Sequence, residues 1–331
     1  MKFFLIKFAL FIFLILVISF ILDFFISYRL KSSRNLAKGE YAVWNDIYNG
    51  KVNADLVVYG SSRAWVHIDP ELLTEAFNIS AYNLGIDGHG FLLQYFRHKE
   101  LLKFNKRPKI IIHSLDITSF IKNPQLYNYE QFLPYMLFNK NILTATSGFE
   151  GFKIWDFIIP SFRYAAKKDI IDYAFTKQGD ADLPGDYRIK GYQGMDKVWN
   201  DDLVNAKTKI KSYQAVIDSS ILQQFEKYLA ACKENNIKII LVYTPEYIEG
   251  QKFETNREEV MQLFKNISTK FSLPFYDYSN DSISYQRNYF YNAEHLNKTG
   301  STLFTKLFIA DLKRDNQVLG PAAQRRTAVL Q

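Results

Sequence analysis

Three short segments of this chain hold residue types that could work together chemically: a hydroxyl, backbone N–H groups freed by glycine, and an imidazole. The first, Val57-Val-Tyr-Gly60-Ser61-Ser62-Arg63-Ala64-Trp65, runs from a β-branched stretch straight into Gly-Ser-Ser. A strand feeding such a turn sets a hydroxyl at the amino end of a following helix, where unpaired N–H groups and the positive dipole end favour a developing negative oxygen. The same pattern also describes an ordinary serine N-cap. The second, Asn83-Leu-Gly-Ile-Asp-Gly88-His-Gly90, carries three glycines in six positions, which lets backbone N–H groups approach a ligand closely. The third, Tyr289-Phe-Tyr-Asn292-Ala-Glu294-His295-Leu-Asn-Lys-Thr-Gly300, contains the one histidine of the C-terminal half, an imidazole able to take a proton. Taken singly, each is weak, and a lone histidine before a helix is commonly a surface or capping residue.

These segments meet only if the elements around them bring them together. Short apolar runs at residues 54–60, 81–85, 108–113, 237–244 and 273–278 alternate with helical stretches near 91–104, 220–235, 257–271 and 299–313. Asp69-Pro70-Glu71 opens a further helix with a carboxylate cap and a proline at its first turn. Near-continuous β-branched strands taking turns with helices imply a parallel sheet covered on both faces. The predicted fold is therefore α/β, a flavodoxin-like three-layer sandwich whose loops all open at the carboxyl edge of the strands. Residues 120–215 break the rhythm. Rich in Tyr, Phe, Pro and Trp, they read as one large helical insertion, either a cap with its own small core or a lid over a cleft or membrane.

Composition narrows the class. The 331 residues are 48% hydrophobic and 23% charged, ordinary globular usage that excludes a mainly disordered chain and a multi-span membrane protein. Aromatic content is high at 16%, more ring surface than a core of this size needs. The net charge of +7 is spread among acids with no basic cluster, so nucleic acid is not an expected partner, whereas an anionic membrane or glycan surface suits it. The single Cys232 excludes an internal disulfide and a cysteine metal site. His67, His89, His98 and His113 show no ligand spacing, and His113 is expected to be a satisfied core residue. No nucleotide-binding glycine loop is present, so neither a metal nor a cofactor is expected.

The amino end is different. An uncharged apolar stretch fills residues 8–22, and residues 3–28 exceed what crosses a hydrocarbon layer about 30 Å thick. No small-residue cleavage pattern follows, which favours an uncleaved single-pass anchor over residues 1–28. A juxtamembrane connector is expected at 29–53, the α/β domain at 54–315, and at 316–331 a flexible tail or engineering remnant. Flanking charge alone would leave the bulk of the chain in the cytoplasm, so the expected extracytoplasmic placement rests on the chemistry.

In this order the three segments resemble the SGNH (GDSL-like) hydrolase superfamily, over residues 54–119 and 220–312. Gly60-Ser61-Ser62-Arg63 is similar to the family's first block and implies Ser62 as nucleophile and oxyanion donor. Asn83-Leu-Gly-Ile-Asp-Gly88 is similar to the second and implies that the Gly88 N–H also binds the oxyanion. Asn292-Ala-Glu-His295 is similar to the fifth, Asp-x-x-His, and implies His295 as general base. With an N-terminal anchor and a Gly-Ser-Ser start, the layout resembles the branch that includes the teichoic acid D-alanyl transfer protein and polysaccharide O-acyltransferases. Two departures stand out. After the third strand the chain reads His113-Ser-Leu-Asp116, with no Asn to serve as a second oxyanion side chain, and the expected triad Asp is Asn292.

The resemblance implies a membrane-anchored, extracytoplasmic, serine-dependent O-acyl esterase or acyltransferase acting on a cell-envelope glycan through an acyl-enzyme on Ser62. Its expected partners are the membrane, an acylated glycan or acyl donor, and a membrane-bound acyltransferase. Arg63 and Asp116 are candidate substrate-binding groups. The alternative is a non-catalytic protein of the same fold that serves a membrane acyltransferase or polysaccharide export system, and a plain lipid esterase is a further enzymatic rival.

Overall fold

The computed structural model describes residues 1–176, 187–209 and 212–315. The expected tail, 316–331, lies outside the described residues. From the amino end, helices α1 (Lys2–Lys31) and α2 (Glu40–Tyr48) lead into β1 (Leu56–Tyr59), α3 (Ser62–His67), α4 (Pro70–Phe77), β2 (Ala81–Asn83), α5 (Phe91–Phe104) and β3 (Ile110–Ser114). Among the described residues α6 (Lys140–Thr146), α7 (Ile154–Ile158), α8 (Lys168–Thr176) and α9 (Asp202–Lys209) follow. The chain then runs through α10 (Ser219–Glu234), β4 (Lys238–Tyr243), α11 (Ile248–Gln251), α12 (Arg257–Phe271), β5 (Phe275–Asp277) and α13 (Lys298–Arg314).

The five strands form one parallel sheet in the order β2-β1-β3-β4-β5, the flavodoxin-like doubly wound arrangement. Side chains alternate between its faces. Leu56, Val58, Ile112, Ile240 and Val242 pack with Leu73 and Phe77 of α4 and Phe304 and Phe308 of α13. On the opposite face, Tyr59 meets His98 of α5, His113 meets Phe225 of α10, and Tyr243 meets Phe264 of α12. Helices therefore cover both faces, and much of the aromatic surplus is core. Asp69 caps α4 by accepting the Glu71 N–H at 2.8 Å, with Pro70 in the first turn, as its sequence predicts.

Two compact units are present. Asp46–Lys122 and the described residues from Arg188 onward make the sheet unit; Met1–Asn45 and the described residues of Asn123–Tyr187 make the other. The long aromatic-rich stretch is thus divided, its last part from Arg188 belonging with the sheet. In the second unit α1 is a helix long and apolar enough to cross a membrane. Its first buried side chain is Asp23, whose carboxylate receives the Arg163 guanidinium at 2.5 and 2.8 Å. Residues 29–53 are not a bare connector: α1 runs to Lys31, and α2 buries Tyr41, Val43, Trp44 and Ile47. The spacing of Tyr41, Trp44 and Ile47 is helical and defines one apolar stripe.

Candidate active site

The strand order reverses between β1 and β3, and the loops leaving their carboxyl ends open a crevice at that point. Strand β1 ends at Tyr59, and Gly60 turns the chain with φ +151°. A Cβ there would lie 2.7 Å from the Ala64 Cβ and 2.8 Å from the Ser114 Cβ, so only glycine admits this close approach. Ser61 caps α3, its Oγ accepting the Arg63 N–H at 3.2 Å. Ser62 is left as the first residue of the helix, partly exposed.

The Ser62 hydroxyl lies 2.8 Å from Nε2 of His295. On its other side the His295 ring reaches Asn292 Oδ1 from Nδ1 at 3.0 Å. The same oxygen accepts the backbone N–H groups of Glu294 at 3.1 Å and His295 at 2.9 Å. Backbone N–H groups can only donate, so the amide must present its oxygen here and its NH2 to Asp202, 3.4 Å away. The imidazole proton is thereby fixed on Nδ1, and bare Nε2 faces the serine. Tyr291 stacks on the His295 ring at 5.4 Å with an 11° tilt.

A residue that the sequence did not mark holds this loop in place. His67, at the far end of α3, accepts the Leu296 N–H on Nε2 at 2.9 Å and meets Thr244 Oγ1 from Nδ1 at 2.8 Å. Burial lowers its pKa well below the ordinary histidine value, and the charges of Arg63 and His295 lower it further, so it stays neutral. Its signal is absent from the sequence, because its partners are 177 and 229 residues away.

Gly88 sits exposed in the turn after β2 at φ +72°. Asn83 ties that segment to α3, donating to the carbonyls of Ala64 and Ile68 at 2.8 Å each while its Oδ1 accepts the Gly85 N–H at 2.9 Å. The stretch after Arg188, expected to be part of the insertion, runs along all three loops. The Lys190 carbonyl accepts the Asn83 N–H, Gln193 N–H reaches the Trp65 carbonyl, the Met195 carbonyl accepts the Lys298 N–H, and Asn200 N–H reaches the Tyr291 carbonyl.

Arg63 and Asp116 are not substrate-facing. Both are about 5% exposed, and the Arg63 guanidinium is committed inward to the Thr244 carbonyl, Asp116 at 3.3 Å and Glu246 at 3.6 Å, over the Tyr243 ring. Burial alone would lower the Arg63 pKa, but the surrounding Tyr243, Glu246 and Asp116 hold it above its ordinary value. Asp116 is raised by burial, which Arg63 only partly offsets. Farther down, Glu254, which pairs with Arg257, is pushed up to about 7 by burial and by the charge of Glu246. These residues form an ionic floor under the Ser62 turn. His113 also differs from expectation. It is buried against Tyr59, Phe91, Phe225 and Tyr228, but neither ring nitrogen has a hydrogen-bond partner, and burial lowers its pKa to about 3. Among the described residues no group of three or more His, Cys, Asp or Glu could hold a metal ion.

No family model and no curated protein sequence matches this chain. Among solved structures, a candidate acylhydrolase from Bacteroides fragilis aligns over 78% of this chain and 86% of its own, with 13% identity and a TM-score of 0.37. At that degree of likeness the functional reading rests on the geometry of the site.

Proposed function

We propose that this protein is an SGNH-type serine O-acyl esterase or acyltransferase, held at the cell membrane by α1 and acting outside the cytoplasm on an acylated cell-envelope glycan. What carries the reading is the relay from Ser62 through His295 to Asn292, with the histidine proton fixed on the nitrogen away from the serine. That is the arrangement a general base needs. The Ser62 Oγ attacks the acyl carbonyl carbon as its proton passes to His295 Nε2. The carbonyl oxygen becomes an oxyanion, received by the backbone N–H groups of Ser62 and Gly88. Collapse expels the alcohol, which takes the proton from Nε2 and leaves an ester on Ser62. Water or a sugar hydroxyl then gives its proton to Nε2 and attacks that ester, and the proton returns to Ser62 as the acid or new ester departs.

A fluorophosphonate tests the assignment by forming a covalent adduct with an activated serine. Wild-type protein is expected to label, and Ser62→Ala and His295→Ala are expected not to; equal labelling of Ser62→Ala overturns it. Two observations favour a second reading, a non-catalytic protein serving a membrane acyltransferase. Asn292 supplies no negative charge to an imidazolium, and the β3 loop offers Asp116 where an oxyanion-binding Asn would be expected. Under that reading neither wild-type protein nor Asn292→Asp labels.

A further inference from the structure

In the unit built on α1, large apolar side chains outside that helix are also exposed. Ile154, Trp155 and Ile158 of α7, together with Phe162, Phe138 and Phe175, are each 43–62% exposed. Exposed apolar side chains scattered singly are ordinary, but the turn that follows α7 is bonded at a fixed level of α1. Residues up to 22 of that helix are unburied apart from the half-buried Ser19, and the first packed side chain is Asp23. A hydrocarbon core needs about 20 predominantly apolar residues, which residues 3–22 supply with Lys7 and Ser19 as the polar exceptions. The turn at Pro160 and Ser161 binds inside that stretch. Ser19 Oγ donates to the Pro160 carbonyl at 2.6 Å, Ser161 Oγ donates to the Ser19 carbonyl at 2.6 Å, and Ser161 N–H reaches Asp23 Oδ2 at 2.6 Å. Ser19 lies three residues before Leu22, about 4.5 Å at 1.5 Å per residue, so the turn reaches roughly one helical turn below the level at which α1 becomes packed.

We infer that the face formed by α7, Phe138, Phe162 and Phe175 is a second membrane contact, seated in the headgroup and upper acyl region of the leaflet from which α1 emerges. The inference rests on reading α1 as a membrane anchor. Continuity with the bare surface of α1 selects lipid as the occupant, because a face fixed level with the last apolar turn of a span meets the same medium as that turn. Its composition agrees: a tryptophan and phenylalanines suit the interface, and the exposed Lys153 and Lys168 flank it where anionic headgroups lie. The Arg163–Asp23 pair, buried and reinforced by Ser27 at 3.0 Å, locks the face to the helix. A single span leaves its domain free to swivel, and a second contact would restrict it.

Trp155 provides the test. The full chain is reconstituted into phosphatidylcholine and phosphatidylglycerol vesicles, with bromine atoms placed on the lipid either high on the acyl chain or near its end. Flotation after an alkaline wash reads the anchor separately. Expected are flotation of wild type and of Trp155→Phe alike, quenching by the shallow bromines exceeding that by the deep ones, and loss of most shallow quenching in Trp155→Phe. Flotation with equal quenching of both proteins overturns the second contact and leaves the anchor standing. Failure to float overturns the anchor and the contact together. Trp155 emission that responds to the protein-to-lipid ratio but not to bromine assigns the face to a second copy, which also overturns the proposal.

Discussion

Replacing Asn292 by Asp restores a charge to a relay whose geometry is already in place. Asn292 Oδ1 accepts from His295 Nδ1 and from two backbone N–H groups, and a carboxylate oxygen can accept all three. Where an acid is replaced by an amide in such a relay, much of the damage comes from stabilising the wrong imidazole tautomer. Here the backbone donors already force the correct one, so the substitution supplies electrostatics alone. A unit charge about 4 Å from the imidazolium centre is worth about 4 kcal/mol at an effective dielectric of about 20. Partial exposure of both groups and the dipole of the amide already present reduce that, and Asp202, 3.4 Å from the Asn292 NH2, adds repulsion where there was a hydrogen bond. The net expectation is about 1–2 kcal/mol of transition-state stabilisation, a gain of about 5- to 30-fold in kcat/KM for an aryl acetate.

The measurement is the rate of ester hydrolysis and of fluorophosphonate labelling across pH, with circular dichroism confirming the fold. Because the new carboxylate favours protonated His295, the acid limb of the pH profile should move upward. The double variant Asn292→Asp with Asp202→Asn removes the repulsion and should gain more than Asn292→Asp alone. An unchanged rate, or a fall in a folded protein, refutes the view that charge is the missing ingredient of this site.

Three further outcomes follow from the interior. His67→Leu removes the acceptor of the Leu296 N–H and should cost about 1–3 kcal/mol, appearing as a lower kcat at nearly constant KM and slower labelling, whereas a purely structural role would lower the melting temperature alone. Arg63→Ala leaves Asp116 and Glu246 buried without their cation and should destabilise by about 3–5 kcal/mol in denaturant titration; a loss below about 1 kcal/mol would mean the guanidinium faces solvent. His113 binds its proton near 3 when folded and near 6.5 when unfolded, so the stability it contributes is complete above about 6.5 and declines as pH falls toward 3. His113→Leu should therefore improve relative to wild type by about 2 kcal/mol between pH 7.5 and pH 5, and a difference independent of pH would show that the ring is not held neutral.

How much of this was legible in the sequence depended on whether the signal was local. The sheet was readable because runs such as Ile110-Ile-Ile and Ile239-Ile-Leu-Val are strand-like by composition alone, and α5 and α12 fall at the residues their periodicity indicates. The relay was proposed from short motifs, each with its chemistry inside a few residues. Contacts fixed by the fold were not readable. Arg63 beside Ser62 could have faced either way, and its inward turn depends on Asp116, Thr244 and Glu246 arriving from two other strands. His113 was expected to find a hydrogen bond, but its neighbours are rings from α5 and α10. The stretch from Arg188 to Asn200 has no periodicity, since backbone groups make its bonds to the three loops.

The six residues of α3 explain how a hydroxyl and an imidazole 233 positions apart are kept in register. Ser62 begins the helix and His67 ends it, about 7.5 Å apart along the axis at 1.5 Å per residue. The loop opposite offers consecutive residues, His295 to the serine and the Leu296 N–H to the histidine. Each end of the short helix therefore grips the same loop, and a shift that lengthened one bond would strain the other. The helix itself is restrained by Ser61 at its start, by the Asn83 amide on the carbonyls of Ala64 and Ile68, and by Arg63 reaching the Thr244 carbonyl below. A helix this short has little stability of its own, so its position is set by these attachments. The cost of removing His67 should accordingly appear in the Ser62–His295 geometry before it appears in the fold.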